Sequence, residues 1–144
     1  VLKKLGENYP RNHLVPLEIA YTYLREGNEE AALKEYAQLV EKVERRAPGF
    51  ERMPRGRLYY QIGAIHQRRE NYEEALGAFA RVTGAAESDD LLSAYASVRK
   101  GEVYLALNQL EQVREECARV LALAYPGPRG EAQRLLDKLE KRQP

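Results

Sequence analysis

The chain has 144 residues, which is the length of one compact domain with a sizeable core. Its 23 Lys and Arg against 22 Asp and Glu leave a net charge of +1, so the total charge gives no general attraction to nucleic acid or anionic lipid. A single Cys excludes an internal disulfide and a Cys-based zinc cage, and no apolar run approaches the length of a membrane span.

Helical spacing of apolar residues runs through nearly the whole chain, and no stretch alternates with a period of two for long enough to be a strand. Pro10, Pro48 and Pro126 follow apolar stretches, and Ala86 stands where a fourth breaker would fall. These signals predict a partial helix at 1–8, helix pairs at 13–26 with 28–46, 56–69 with 71–83 and 89–107 with 109–124, and a last helix at 129–142. Residues 127–130, Gly-Pro-Arg-Gly, are predicted to be a turn into that last helix.

Very short turns are predicted within the helix pairs. Each turn is a helix stop followed directly by a helix start, at Gly27-Asn28, Glu70-Asn71 and Asn108-Gln109. Acidic doublets stand near three helix starts, at Glu29-Glu30, Glu73-Glu74 and Asp89-Asp90. Because the helix dipole favours negative charge there, we interpret the doublets as helix-entry signals and not as paired catalytic carboxylates.

A fixed set of spacings recurs three times along the chain, each time counted from a small residue, namely Ala20, Gly63 and Gly101. The residues at equivalent positions after it are Tyr23, His66 and Tyr104; Ala32, Ala75 and Val113; Tyr36, Phe79 and Cys117; and Leu39, Val82 and Val120. A repeat of this length predicts a helical solenoid, because one hairpin cannot bury its apolar stripe alone and must stack on its neighbours.

The pattern resembles the tetratricopeptide repeat (TPR), most closely over residues 58–83 and nearly as well over 19–40. The third repeat departs from it with Lys100, Val113 and Cys117 at positions that are usually apolar, Ala and aromatic. The resemblance implies an all-α, right-handed superhelical solenoid of antiparallel helix hairpins. It implies a single domain over 1–144, with repeats at 13–46, 55–84 and 89–124, a capping helix at 129–142 and the end of a preceding repeat at 1–8.

Two features differ from a regular array of such repeats. The distance from Leu39 to Gly63 is long, so either the second helix of the first pair runs long, or the loop at 47–54 bulges, or both. The last helix lacks the small residue and ends in a charged run, as expected for a terminal cap with a polar outer face. The chain begins at Val1, without Met and within a helical pattern, which suggests that it is part of a longer protein.

In the TPR family the first helices of the pairs line a concave groove, and the resemblance places one set of residues there. The set is Leu17, Tyr21 and Leu24; Tyr60, Ala64 and Gln67; and Val98, Glu102 and Leu105, with Arg68 and Tyr95 at its flanks. Such a strip suits an amphipathic helix or an extended apolar peptide, with exposed Tyr21, Tyr60 and Tyr95 as anchors. The alternative is that neighbouring first helices cover these side chains and make them core. The family's clamp for C-terminal carboxylates is not expected, because Tyr21, Ala64 and Glu102 stand where its Asn would recur.

A basic segment runs from Arg45 to Arg57, with five Arg against Glu51 alone. The planar donors of Arg could bind a phosphate or an acidic partner there, but a solvated loop is the interpretation that we favour. A nucleic-acid interface is not expected, because it would need a broader basic face with interleaved aromatic residues.

No group of residues is predicted to form a catalytic, cofactor or metal site. His13 lies at a helix entry, and His66 occupies the aromatic position of the second repeat, where we expect a packed, hydrogen-bonded side chain. Cys117 fills an apolar position and is expected to be buried and unreactive. Two His without partners at ligand spacing make no metal motif, and no glycine-rich phosphate loop is present in the sequence.

These observations predict a non-catalytic protein–protein interaction module that binds a peptide or partner helix in the groove. One alternative is a structural spacer or self-association module of a larger protein, and a weaker one is a regulatory domain attached to an enzyme. Tyr-Pro at 9–10 and 125–126 is similar to repeat proteins of the bacterial cell envelope, such as lipoproteins of outer-membrane assembly. Direct membrane insertion is not expected. Localisation stays open between the cytoplasm and the cell envelope, since a targeting segment could precede Val1, and so does the oligomeric state.

Overall fold

The computed structural model describes residues 14–84 and 90–142, and every regular element within these two ranges is an α-helix. The helices are α1 (Leu14–Arg25), α2 (Glu29–Glu44), α3 (Arg55–Arg68), α4 (Tyr72–Gly84), α5 (Asp90–Ala106), α6 (Leu110–Leu121) and α7 (Pro126–Arg142). The prediction of an all-α chain is therefore confirmed for the described residues. The predicted partial helix at 1–8 lies outside them, as do Pro10, His13, Ala86 and Asp89.

The six helices before α7 begin and end within three residues of their predicted bounds. The last helix begins earlier than predicted, at Pro126, so residues 127–130 lie inside it and their prediction as a turn is wrong. Pro126 and the buried Pro128 fit the first turn of a helix, because the N–H groups of that turn have no helical partner. Arg129 then reaches back and donates to the carbonyl oxygen of Leu123 at 3.1 Å, just after the end of α6.

The turns between paired helices share one hydrogen-bond pattern. In each turn a residue with positive φ ends the first helix, at Gly27 (78°), Glu70 (61°) and Asn108 (58°). The N–H of that residue donates to the carbonyl three residues earlier, and the next N–H donates to the carbonyl five residues earlier. The donor–acceptor pairs are Gly27–Leu24 and Asn28–Tyr23, Glu70–Gln67 and Asn71–His66, and Asn108–Leu105 and Gln109–Tyr104. This is the Schellman ending of a helix, and the predicted helix stops are confirmed at all three positions.

The chain divides into two compact units, an N-terminal unit up to Leu58 and a C-terminal unit from Tyr59, so that the division falls within α3. In the N-terminal unit α1 and α2 pack against each other through a small apolar core. Its buried residues are Val15, Ile19 and Ala20 of α1 and Ala32, Tyr36, Leu39 and Val43 of α2.

A ten-residue loop, 45–54, carries part of the extra length between the first two hairpins, since it runs from the end of α2 at Glu44 to the start of α3 at Arg55. Two apolar side chains of the loop are buried in the protein. Phe50 is 1% and Met53 3% exposed, and the ammonium of Lys42 lies 5.1 Å from the centre of the Phe50 ring. Both predicted contributions to the long spacing are therefore present, since α2 with 16 residues is also longer than α4 with 13 and α6 with 12.

In the C-terminal unit two glycines allow neighbouring helices to approach closely. A Cβ on Gly63 would lie 2.8 Å from the ring of Phe79 in α4, and a Cβ on Gly101 would lie 2.7 Å from Cδ2 of Leu135 in α7. The side chain nearest to such a Cβ on Gly101 thus comes from the last helix, although Cβ of Glu116 in α6 would also lie 3.8 Å away. The core here comprises Val98, Leu105, Val113, Cys117, Val120, Ala132, Leu135 and Leu139.

A buried ion pair explains why Lys100 stands at a position that is usually apolar in the repeat pattern. Its ammonium lies 3.3 Å from Oε2 of Glu116 in α6, and the Glu116 side chain is almost fully buried. Arg119, one turn further along α6, approaches Oε1 of the same carboxylate at 2.9 Å. The two cations compensate a carboxylate that would be costly to bury alone.

Candidate peptide-binding surface

One face of α1 carries four apolar side chains at successive spacings of three, four and three residues. They are Leu14, Leu17, Tyr21 and Leu24. Leu14 is 58% exposed and Tyr21 54%, which makes them the most exposed large hydrophobic residues among those that the structure describes. Leu17 and Leu24 are half-buried. We call these four residues the α1 apolar face.

The α1 apolar face lies away from the side of the helix that packs on α2. The packed side is formed by Val15, Ile19 and Ala20, each of which is buried. At 3.6 residues per turn, the centres of the two stripes are separated by roughly 150° around the helix axis. A helix needs only one apolar stripe to pack on its hairpin partner. Packing between α1 and α2 therefore does not account for the α1 apolar face.

Two charged residues, Glu18 and Arg25, lie along one edge of the α1 apolar face. The guanidinium carbon of Arg25 is 5.2 Å from the centre of the Tyr21 ring, a cation–π contact that favours this orientation of the ring. Glu18 is exposed and lies halfway along the length of this edge. Leu14 was not among the predicted groove residues, although its spacing of seven residues from Tyr21 is the signal that would have identified it.

A polar cluster joins three helices of the C-terminal unit and centres on Arg99 of α5. Arg99 donates from Nε to the hydroxyl of Tyr60 at 3.1 Å. It donates from Nη1 to Glu102 at 2.7 Å and from Nη2 to Glu131 at 2.7 Å. Gln67 Nε2 donates to the other oxygen of Glu102 at 3.0 Å. Tyr60 and Gln67 belong to α3 and Glu131 to α7, so side chains far apart in sequence meet here.

The polar cluster stabilises the protonated form of Arg99. Burial acts to lower the pKa of the guanidinium, but the hydrogen bonds to Tyr60, Glu102 and Glu131 outweigh it and raise the pKa above its ordinary value. All three nitrogens of Arg99 have partners within the chain. The sequence prediction found Tyr60, Gln67 and Glu102 but missed Arg99 and Glu131. Only the spacing of three residues between Arg99 and Glu102 on one helix hinted at the pair.

Two of the three tyrosines that we expected to be exposed anchors are half-buried instead. The ring of Tyr60 meets Phe79 edge to face with centroids 5.6 Å apart. The hydroxyl of Tyr95 lies against Gly127, where a side chain would collide with it. Ala64 is also half-buried, and Arg68 is exposed. Of the predicted anchors, only Tyr21 is exposed.

Val98 and Leu105 do not line a groove, and their assignment to one is corrected. Val98 is 1% and Leu105 8% exposed, and both belong to the core formed with α6 and α7. They occupy the positions in α5 that Leu17 and Leu24 occupy in α1. The difference arises because α7 packs on α5 and covers this side of it.

The basic segment from Arg45 to Arg57 lies mostly in the loop and is largely exposed. Arg45 lies 3.7 Å from Glu41, and Arg55 lies 3.7 Å from Glu44. Both pairs join side chains that stay in contact with water, where such pairs contribute little. This agrees with the interpretation as a solvated loop, and an acidic partner for it stays a prediction.

His66 and Cys117 are placed as packed side chains. His66 is half-buried, with Nδ1 3.4 Å from the side-chain nitrogen of Asn71. Cys117 is 1% exposed, and its thiol donates to the carbonyl oxygen of Ala132 at 3.6 Å. Burial, together with the charge of Glu116, raises the pKa of the Cys117 thiol to about 11, so little of it is the reactive thiolate near neutral pH.

Within residues 14–84 and 90–142 there is no group of three or more His, Cys, Asp or Glu side chains arranged to hold a metal ion. None of the helices described is both long and apolar enough to cross a membrane. No protein-family model, no curated protein and no solved structure matches the sequence. Membership of the TPR family therefore stays a proposal that is argued from the chain's own residues.

Proposed function

We propose that the protein is a non-catalytic interaction module of the TPR type, which binds a peptide or a partner helix on the exposed face of α1, the first helix of its first predicted repeat. The observation that carries this proposal is the α1 apolar face. Leu14 and Tyr21 are more than half exposed there, on a helix whose other side is already packed. Apolar side chains clustered on a surface in this way mark sites where proteins bind other proteins.

The repeat interpretation is supported by burial at equivalent positions. Four positions of each predicted repeat are buried in all three copies. They are Ala20, Gly63 and Gly101; Ala32, Ala75 and Val113; Tyr36, Phe79 and Cys117; and Leu39, Val82 and Val120. The shared Schellman turns add a second, backbone similarity between the copies. Both features are expected of a TPR array, in which each hairpin repeats the same packing.

The polar cluster around Arg99 supports a division of roles between the two units. Each of the three guanidinium nitrogens donates to one partner, Tyr60, Glu102 or Glu131, so Arg99 links α3, α5 and α7 and its charge is already paired within the chain. We therefore assign recognition to the α1 apolar face and a structural role to the Arg99 cluster.

Affinity capture with the full chain tests the proposal. Tyr21→Glu places a charge at the centre of the α1 apolar face. Leu107→Glu is the matched control, because Leu107 is an exposed apolar residue (37%) of the C-terminal unit. We expect the wild type and Leu107→Glu to capture a protein from a lysate of the native organism, and Tyr21→Glu to capture none. Circular dichroism should show equal helicity for all three proteins. Equal capture by all three would contradict the assignment.

The spacer and self-association alternative is distinguished by light scattering over a range of protein concentrations. A monomer at every concentration argues against self-association. An assembly that Tyr21→Glu leaves intact would move the functional surface away from the α1 apolar face.

A further inference from the structure

We propose that the partner of the α1 apolar face is an amphipathic helix of about three turns that lies along α1 and carries a basic residue beside Glu18. This inference rests on the proposed function and names the class of partner for the same face. It excludes an extended peptide and a second copy of the chain as the occupant.

The spacing of the apolar side chains favours a helix. Leu14, Leu17, Tyr21 and Leu24 follow the alternation of three and four residues that forms the seam of a coiled coil. Along such a seam, successive side chains are separated by roughly 5 Å of helix rise, and a partner helix has the same separation. Side chains on one face of a strand are roughly 7 Å apart, so an extended peptide would lose register over the length of the face.

The position of Glu18 disfavours a second copy as the occupant. An antiparallel copy in full overlap would place Leu17 opposite Tyr21, and the central Glu18 of each chain would then lie beside that of the other. Such like charges oppose pairing unless they are separated by water. In a parallel pair, Glu18 of one copy would face the opposite edge of α1 in the other copy. That edge carries Ala20, which is buried within the chain itself. A partner with Lys or Arg at this level gains an attractive pair instead.

Of the two charged residues at the edge of the α1 apolar face, Glu18 is the one that would select the charge of the partner. The Arg25 guanidinium is already engaged over the ring of Tyr21, within the chain itself. Glu18 is exposed, and its backbone oxygen, not its carboxylate, accepts a hydrogen bond from the Thr22 hydroxyl at 2.8 Å. Glu18 stands midway along the α1 apolar face, at the level where the centre of a bound helix would lie.

Three synthetic peptides of equal length test the inference by titration into the full chain. The first is a helical probe with Leu at three-four-three spacing, one Lys on each edge at its centre, and Gln and Ala elsewhere. The second replaces both Lys by Glu. The third has the composition of the first but places Leu at alternate positions, as in a strand. Binding is followed by fluorescence anisotropy of the labelled peptides.

We expect the Lys helical probe to bind with a dissociation constant on the order of micromolar and the strand-patterned probe to bind at least about tenfold more weakly. Tyr21→Glu should weaken the Lys probe by about tenfold or more, and Leu107→Glu should leave its affinity unchanged. The Glu probe should bind about threefold more weakly than the Lys probe, and Glu18→Lys should reverse that order.

Several outcomes would overturn the helix partner, and they separate it from the proposed function. If the strand-patterned probe binds as tightly and in a Tyr21-dependent way, the partner is an extended peptide and the proposed function stands. If no probe binds although capture depends on Tyr21, the partner class is wrong and the function again stands. A dimer that Tyr21→Glu dissociates would identify a second copy as the occupant. If tyrosine-selective labelling finds Tyr21 protected in the monomer, the chain itself covers the face and both proposals fail.

Discussion

Gly63 of α3 lies so close to Phe79 of α4 that a Cβ on Gly63 would stand 2.8 Å from the aromatic ring. Gly77, two residues before Phe79, is the opposite case, because a Cβ there would meet nothing within 4 Å. Gly63→Ala should therefore destabilise the protein by about 1–3 kcal/mol through overpacking. Gly77→Ala should stabilise it by about 0.5–1 kcal/mol, since Ala is the better residue in the middle of a helix.

Urea unfolding followed by circular dichroism measures both effects, and each variant serves as the control for the other. The same substitution with opposite signs at two positions cannot come from helix propensity alone. If Gly63→Ala stabilised the protein as Gly77→Ala is expected to do, the close packing of Gly63 on Phe79 would be wrong.

Glu70 ends α3 with a φ of 61°, a conformation that costs a non-glycine residue energy. Glu70→Gly should stabilise the protein by about 0.5–1 kcal/mol, because glycine adopts positive φ without steric cost. Asn108→Gly should gain less, since Asn tolerates this region better than Glu. Glu70→Ala is the control in thermal or urea unfolding, because it removes the same carboxylate and keeps the Cβ. A gain from Ala equal to that from Gly would assign the effect to charge and not to the backbone.

The local features of the fold could be predicted from the sequence because they depend on residues close together in the chain. Gly27-Asn28 and Asn108-Gln109 carry their own stop and start signals, and the structure has a turn at each. Pro126 was assigned to the end of the preceding helix, whereas it begins α7. A proline fits either role, and only the earlier end of α6 at Leu121 decides between them.

The candidate site was less predictable, because the exposure of a side chain depends on which helix comes to lie beside it. Leu24 and Leu105 hold the same position in their helices, yet Leu24 is half-buried and Leu105 is in the core with α7. Arg99 was missed for a similar reason. Its partners Tyr60 and Glu131 are 39 and 32 residues away in sequence, and no local pattern brings them together.

Arg99→Met should destabilise the C-terminal unit by about 1–3 kcal/mol, because it leaves two partly buried carboxylates without their cation. Glu131→Gln should cost less, and the double variant should be more stable than the sum of the single effects by roughly 1 kcal/mol. Urea unfolding of the four proteins completes the cycle. Arg114→Met is the control, since Arg114 pairs with Glu111 at 2.9 Å in a more exposed setting and should change stability by less than about 0.5 kcal/mol. Additive single effects would show that Arg99 and Glu131 are not coupled.

Cys117 should make the stability of the folded chain fall as the pH rises from 9 towards 11. Burial and the charge of Glu116 raise the pKa of its thiol from 9.0 to about 11, so over this range the unfolded chain loses the proton while the folded chain keeps it. The unfolded state is then favoured with a slope of at most about 1.4 kcal/mol per pH unit, and below pH 9 the thiol contributes no pH dependence.

The measurement is the free energy of urea unfolding at several pH values for the wild type and Cys117→Ala. Every other titratable side chain is the same in the two proteins, so the difference between their slopes isolates the thiol. Cys117→Ala should be less stable near neutral pH because of the lost side chain, and the gap should narrow above pH 9. A thiol reagent at pH 8 should label the folded wild type only as fast as it unfolds, since the sulfur is buried. Parallel slopes, or rapid labelling of the folded chain, would show that the thiol is open to solvent and that α7 does not cover it.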